Sequence, residues 1–244
     1  MMFSLVLPAY NESENIESTV NSVRKELKKI KKISYEIIIA EDGSNDGTDE
    51  IARKLQKKFK EVRHLHSDEK LGRGRALKQA FEKAKGEIVG YLDVDLAVGP
   101  EYLPKLITLS MKNDLVTGSR YLKESEVERP SLREFVSRSY NWMIRFFLGC
   151  DVKDSQCGFK GFSRRIVKDI VNEVEENSWA WDTVVIVECI KSGYKFKEFP
   201  VNWEEKKEAA HSSSFKRIYS DIKIHGSVIL KLFLKWKMGI KIQV

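Results

Sequence analysis

A chain of 244 residues, 42% of them hydrophobic and 32% charged, is long enough for one large α/β domain with a small extension and too apolar to be disordered. Cys150, Cys157 and Cys189 are odd in number and lack a Cys-x-x-Cys spacing, which argues against a disulfide framework or a zinc site and for a reduced, cytosolic setting. The net charge of +7 is concentrated in the tail, where Lys216, Arg217, Lys223, Lys231, Lys235, Lys237 and Lys241 face Asp221 alone. No RNA- or DNA-reading motif accompanies that charge, so nucleic acid is not expected as a partner.

The first half alternates regularly. Strands are predicted at Phe3–Leu7, Tyr35–Ala40, Val62–His66 and Glu87–Leu92, with helices near Ser13–Lys29, Thr48–Phe59 and Arg73–Lys85 between them. Right-handed β-α-β units and a mostly parallel sheet flanked by helices follow. Asn11 and Glu14 suggest a capping-box start for the first helix, and Asp46-Gly-Thr-Asp marks the turn into the second. A helix near Glu101–Met111, a strand near Leu115–Gly118, a turn-rich segment at Lys123–Pro130 and a helix from Ser131 to Leu148 come next.

That last helix carries an aromatic stripe with Tyr140, Trp142, Phe146 and Phe147 beside Arg133, Arg138 and Arg145, a pattern open to a core or a membrane-facing reading. In the tail, Ile218, Ile222, Ile229, Leu232, Phe233 and Trp236 fall at helical spacing among lysines. This pattern fits a helix lying on an anionic membrane surface, the alternative being a helix docked on its own domain. No stretch reaches the ~18 consecutive apolar residues a spanning helix needs. The N-terminus runs into the first strand without a basic start or cleavage site, so no signal peptide is expected. The expected location is peripheral, on the cytoplasmic face of a membrane.

Polar clusters fall at the carboxyl ends of successive strands, where open α/β sheets bind ligands. Pro8-Ala-Tyr-Asn-Glu12 follows the first, Glu41-Asp-Gly-Ser-Asn-Asp-Gly47 the second and Ser67-Asp-Glu-Lys-Leu-Gly-Arg-Gly74 the third, while the fourth ends in Asp93-Val-Asp95. Tyr10 can stack on a base, Asp42 can accept hydrogen bonds from a base or ribose, and the Lys70/Gly72/Gly74 loop can approach phosphates at a helix start. Two carboxylates two residues apart share a side of an extended segment and suit Mg²⁺ or Mn²⁺. Taken alone, Asp-x-Asp is equally compatible with solvated strand-end acids.

Together, Leu7-Pro-Ala-Tyr-Asn-Glu12, Ala40-Glu-Asp-Gly-Ser-Asn-Asp-Gly-Thr48, Leu71-Gly-Arg-Gly-Arg-Ala76, Leu92-Asp-Val-Asp-Leu96 and Gly118-Ser-Arg-Tyr121 resemble glycosyltransferase family 2, within it the dolichyl-phosphate sugar synthases. Asp154-Ser-Gln-Cys-Gly-Phe-Lys160, Trp179-Ala-Trp-Asp182 and Pro200-Val-Asn-Trp203 look more like the dolichyl-phosphate β-glucosyltransferases than the mannosyl enzymes. The resemblance implies a GT-A type fold with a Rossmann-like sheet. It divides the chain into a catalytic domain at 1–210, with 131–148 a candidate interface helix, and a basic amphipathic membrane-surface helix at 211–244.

The implied activity is metal-dependent, inverting transfer of a hexose from a nucleoside-diphosphate sugar to dolichyl or polyprenyl phosphate. UDP-glucose is the favoured donor and GDP-mannose the alternative; a family 2 enzyme acting on a polysaccharide or protein, with Asp182 as base, is a further one. Carried over by position, the family assigns Pro8, Tyr10, Glu12, Ala40, Asp42, Lys70, Asp93 and Val94 to the nucleotide sugar, and Asp93 and Asp95 to Mg²⁺ or Mn²⁺. Arg120, Arg133, Ser137 and Lys207, or its neighbour Lys206, fall to the acceptor phosphate, with Asp95, Arg120 and Arg133 central to catalysis. Three positions depart from the pattern: Glu41 stands for the usual Asp, Ala97 for a Gln of the mannosyl enzymes, and Val184 for an acidic residue.

Overall fold

The computed structural model describes residues 1–128, 131–204, 215–240 and 244, the side chains of 128, 131–133 and 215–222 excepted. Strands β1 (Met2–Ala9), β2 (Ser34–Glu41), β3 (Val62–Leu65) and β4 (Ile88–Leu92) alternate with helices α1 (Ile16–Lys29), α2 (Thr48–Lys58) and α3 (Arg73–Lys83). Helix α4 (Leu103–Ser110) leads to β5 (Leu115–Ser119), and the two-residue β6 (Val127–Glu128) precedes α5 (Ser131–Met143). Residues 149–204, read from sequence as motifs only, supply β7 (Phe159–Ser163), α6 (Arg164–Asp169), α7 (Trp181–Lys191), β8 (Phe196–Pro200) and the short β9 (Trp203–Glu204). Helix α8 spans Phe215–Met238.

The sheet runs β3-β2-β1-β4-β7-β5-β8, and β7 is antiparallel to both its neighbours. The remaining strands point one way, so the loops after β1, β2, β3, β4, β5 and β8 emerge at one edge, and so does the loop that enters β7. The strands are apolar on both faces because both are covered. One core layer holds Val20, Val23 and Leu27 of α1, Leu55 of α2 and Leu106 of α4. The other holds Leu77 and Phe81 of α3, Ile166 of α6, Trp181 and Val185 of α7, Tyr140 of α5 and Leu232 of α8.

The expected capping box does not form. Helix α1 begins at Ile16, and Asn11 lies upstream in the left-handed region at φ 55°. Its amide donates to Ser44 Oγ and its side-chain oxygen accepts from the Asn45 amide, both at 3.0 Å. Asn11 thereby ties the β1 loop to the β2 loop. The expected Asp46 turn does form: its carboxylate accepts from the amides of Thr48 and Ser13, each at 3.0 Å. Modest desolvation is outweighed by these bonds and one from the Thr48 hydroxyl, which hold the Asp46 carboxyl down at about 2.

The helix predicted from Ser131 to Leu148 changes character midway. Its last five residues, Ile144–Leu148, form a π turn, and Gly149 at φ 63° ends it. The wider turn buries Ile144 and Leu148 while Phe146 and Phe147 face outward.

Candidate active site

Four elements deliver the Asp93–Asp95 segment and its surroundings. Strand β4 stops at Leu92, and Asp93 to Leu96 form a turn closed by the Leu96 amide donating to the Asp93 carbonyl at 3.2 Å, with Leu96 at φ 53°. The two carboxylates therefore share a turn, not the extended segment that the sequence suggests. Arg73, the first residue of α3, donates from Nη2 to Asp93 Oδ1 at 2.6 Å. Asp95 Oδ1 accepts from the Ala97 amide at 3.1 Å, which makes Ala97 a backbone support.

Antiparallel β7 completes the site from the far side. The Asp93 amide donates to the Gly158 carbonyl at 3.0 Å, and the Asp93 carboxylate lies so close to the Gly158 Cα that no side chain fits there. Register then sets Lys160 directly opposite Tyr91. Lys160 Nζ reaches Asp182 Oδ1 at 2.9 Å with both side chains buried, and the Tyr91 hydroxyl donates to the same carboxylate. Arg73 Nε lies 3.6 Å from Asp182 Oδ2 and is buried without a hydrogen-bond partner.

The result is an alternating charge chain, Asp93, Arg73, Asp182, Lys160, with Tyr91 alongside. Burial pushes the Asp93 carboxyl up to about 6; Arg73 opposes the rise, and the Asp95 and Asp182 charges add to it. Burial and the Asp182 charge likewise raise the Tyr91 hydroxyl well above its ordinary value, so it stays protonated and donates.

Asp42 is 5% exposed, and its two oxygens accept from the amides of Leu71 and Gly72 at 2.7 and 3.0 Å. It thus braces the entry to α3 and holds Arg73 in place. The glycines of that entry pack more than they open a phosphate cradle: a Cβ at Gly74 would collide with the Glu176 carbonyl and the Trp181 ring. Lys70 lies over the Tyr10 ring, its Nζ 3.5 Å from the ring centre. Glu12 donates its amide to Thr48 Oγ1 and accepts from Asn15. Pro8 lies in β1, Ala40 is buried in β2, and Val94 packs inward with its carbonyl accepting from Thr19 Oγ1 at 2.6 Å.

Arg120 follows β5 at the same edge, 4% exposed, and donates to Asp154 through Nε at 2.7 Å, Nη2 at 2.8 Å and its amide at 2.9 Å. Against the cost of burial, Arg120 holds the Asp154 carboxyl below its ordinary value. The Trp203 ring lies 4.7 Å from the guanidinium. Ser137 lies on α5, near Asn141, whose side chain accepts from the Ser155 amide and hydroxyl. The side chain of Arg133 and all of Lys206 and Lys207 fall outside the described residues. Val184, at the position of the expected acid, is fully buried in the core and takes no part in the site.

Arg73, Lys160 and Asp154 had no assigned role, although each lies in a quoted motif. For Lys160 the signal is a lysine inside the apolar strand Phe-Lys-Gly-Phe, because buried charges demand partners.

Residues 4–171 match the pattern of glycosyl transferase family 2. The chain belongs to that family. It is 40% identical over 241 residues to the glycosyltransferase AglD of Haloferax volcanii, covering 98% of this chain and 38% of the relative. It is 33% identical over 212 residues to the dolichyl-phosphate beta-glucosyltransferase ALG5A of Trichomonas vaginalis, covering 83% and 65%. The chain thus spans less than two thirds of these relatives. Glucosyl-3-phosphoglycerate synthase from Mycobacterium tuberculosis, solved with Mn²⁺, UDP and glucosyl-3-phosphoglycerate, superimposes with a TM-score of 0.68 over 99% of this chain and 81% of that one, at 20% identity. The shared architecture is the GT-A fold.

Proposed function

We propose that the chain transfers glucose from UDP-glucose to dolichyl or polyprenyl phosphate at a membrane surface, inverting the anomeric centre. One observation carries the reading. Helix α5 presents an exposed aromatic face to the outside and, from its buried side, anchors the loop and helix that carry the charged site. Tyr140 donates to Thr183 Oγ1 at 3.0 Å, next to Asp182, and Asn141 holds Ser155, next to Arg120's partner Asp154. On the outer face Phe135, Trp142, Phe146 and Phe147 are exposed, the rings of Trp142 and Phe146 stacked 5.1 Å apart.

Helix α8 extends that surface, although not with the face expected from sequence. Val228, Ile229 and Leu232 are buried in the domain, Phe233 and Trp236 pack beside them, and Trp236 Nε1 and Lys235 Nζ both reach Glu188 Oε1. Outward residues toward its C-terminal end include Leu230, Lys231, Lys237 and Met238, with Ile240 just beyond, and Phe147 meets Phe233 edge to face across the junction with α5. Apolar rings rimmed by lysines suit an anionic lipid surface. No helix among the described residues is long and apolar enough to cross a membrane.

The acceptor chemistry agrees with the buried state of Asp182. A hydroxyl acceptor needs a general base, whereas Asp182 is 3% exposed and held by Lys160 and Tyr91. A phosphate monoester, with a second pKa near ~6, is already largely a dianion at neutral pH and attacks without one. Its oxygen forms the bond to the anomeric carbon as the bond to the diphosphate oxygen breaks, and that oxygen leaves with the electron pair.

Asp93 and Asp95 form an oxygen-only donor set that fits Mg²⁺ or Mn²⁺, and Arg73, which pairs with Asp93, adds positive charge beside it. Bound there, the ion would act as a Lewis acid on the leaving diphosphate. Tyr10, Asp42 and Lys70 wall the nucleotide, and Arg120, whose Nε and Nη2 are taken by Asp154, would offer its remaining Nη1 edge to the acceptor phosphate with Arg133, Ser137 and Lys207.

The test pairs UDP-glucose and GDP-mannose in turn with dolichyl phosphate and recovers lipid-linked sugar in organic solvent. Glucose in the organic phase as the β anomer is expected. Mannose alone would move the donor assignment, and transfer only to a water-soluble acceptor would overturn the reading.

A further inference from the structure

We propose that Glu41, Asp49, His64 and His66 form a second cation site, for a transition metal of the zinc class, at the β3 edge of the sheet and separate from Asp93 and Asp95. His64 lies on β3 and His66 just past its end, two residues apart, so an extended backbone turns both imidazoles to one side. Glu41 ends β2 and Asp49 lies in the first turn of α2. One ligand atom from each of the four residues lies within 4.8 Å of the others. His66 Nδ1 is 2.5 Å from Glu41 Oε2 and 3.4 Å from Asp49 Oδ1, and His64 Nε2 is 3.5 Å from the same Asp49 oxygen.

A second observation points to a ligand. The His64 side chain is 5% exposed, and its Nε2, aimed at this cluster, is buried without a hydrogen-bond partner. Buried polar nitrogens are seldom left so, and here three other ligand atoms converge on it. Two imidazole nitrogens and two carboxylates make the mixed, four-ligand set that zinc takes, whereas Mg²⁺ prefers six oxygens.

The outer shell is also built. His66 turns its other nitrogen, Nε2, to Asp68 Oδ1 at 3.2 Å, the carboxylate–histidine arrangement that orients a metal ligand. Glu41 Oε1 accepts from the Ser44 amide at 2.5 Å, which fixes the carboxylate. Its two oxygens let one carboxylate serve both Ser44 and His66. Arg53 competes for Asp49 at 2.8 Å, but it is largely exposed and can swing into solvent. An ion here would staple the ends of β2 and β3 to α2, one residue from Asp42 and the loop it braces.

The experiment uses the full chain carrying D93N and D95N, stripped with chelator and titrated with Co²⁺, followed by Zn²⁺. Uptake of one equivalent of Co²⁺ with the strong visible absorption of a four-coordinate site, displaced by Zn²⁺, is expected. Adding H64Q or E41Q should weaken uptake by more than the roughly ten- to hundredfold that loss of an outer-shell partner costs. As a check free of site variants, Zn²⁺ should raise the melting temperature of the chelator-stripped wild-type chain. The proposal is overturned by no saturable uptake, by uptake unchanged in H64Q and E41Q, or by a melting temperature that Zn²⁺ leaves alone.

Discussion

The edge where the donor is proposed to bind and the face of α5 and α8 use opposite devices. At the edge four carboxylates are locked by a partner of opposite sign or by backbone amides: Asp42 by Leu71 and Gly72, Asp93 by Arg73, Asp182 by Lys160, Asp154 by Arg120. The outer face of α5 does the reverse and leaves Phe135, Trp142 and Phe146 without cover. On the proposed function, fixed geometry collects where a bond would change, and adhesive area where a lipid substrate would arrive.

If the edge is as fixed as this contrast holds, substitutions there should cost most. D93N should lower the transfer rate by about a thousandfold, since charge stabilisation of the leaving group is worth several kcal/mol, while circular dichroism shows a folded chain. Activity within tenfold of wild type would remove Asp93 from the centre of the site. K160M takes the nearest cation from the buried Asp182, leaving it Tyr91 and the more distant Arg73, and should destabilise the fold by about 3 kcal/mol in urea unfolding. The double variant K160M/D182N should recover much of that loss. A single-variant loss well under about 1 kcal/mol would show the charge chain to be dispensable.

The outer face should respond in binding and not in folding. W142S/F146S should bind anionic liposomes at least about a hundredfold more weakly in sedimentation, given about 1.5–3 kcal/mol for each of the two large apolar side chains, with urea midpoints unchanged because both rings are exposed. Equal liposome binding would dissolve the contrast between the two regions. The smallest effect belongs to Asp46→Ala, about 1 kcal/mol for the turn hydrogen bonds its carboxylate accepts. The folded-state value of about 2 lies below the ordinary 3.8, so this contribution is present above pH 3.8 and fades as pH falls toward 2. Acid unfolding of wild type and variant should converge there.

Much of the edge was legible in sequence because β-α-β alternation is local: apolar strand, polar loop, amphipathic helix. What escaped depends on distant pairing. Lys160 meets Tyr91 only through the register of β7, and Asp182 meets both only when α7 packs on that face. The packed face of the tail was open in sequence for another reason. Periodicity reports that Ile229, Leu232, Phe233 and Trp236 share an apolar stripe, and a stripe buried in protein reads the same as one buried in lipid. Likewise the Asp-x-Asp spacing was visible, but the turn that holds both carboxylates required the positive φ of Leu96.

The reversed strand in the middle of the sheet also sets a timetable. β4 and β5 are held apart by β7, made some forty positions after β5, and Asp93 is backed by Gly158. A chain emerging from the ribosome folds its amino-terminal portions first. The β3-β2-β1-β4 half can therefore assemble early, but its edge strand waits exposed, and the Asp93 turn stays unbacked, until the residues of β7 have left the exit tunnel. On the proposed function, competence to bind a donor is a late event in the biosynthesis of this chain, although most of the motifs assigned to the donor are made first.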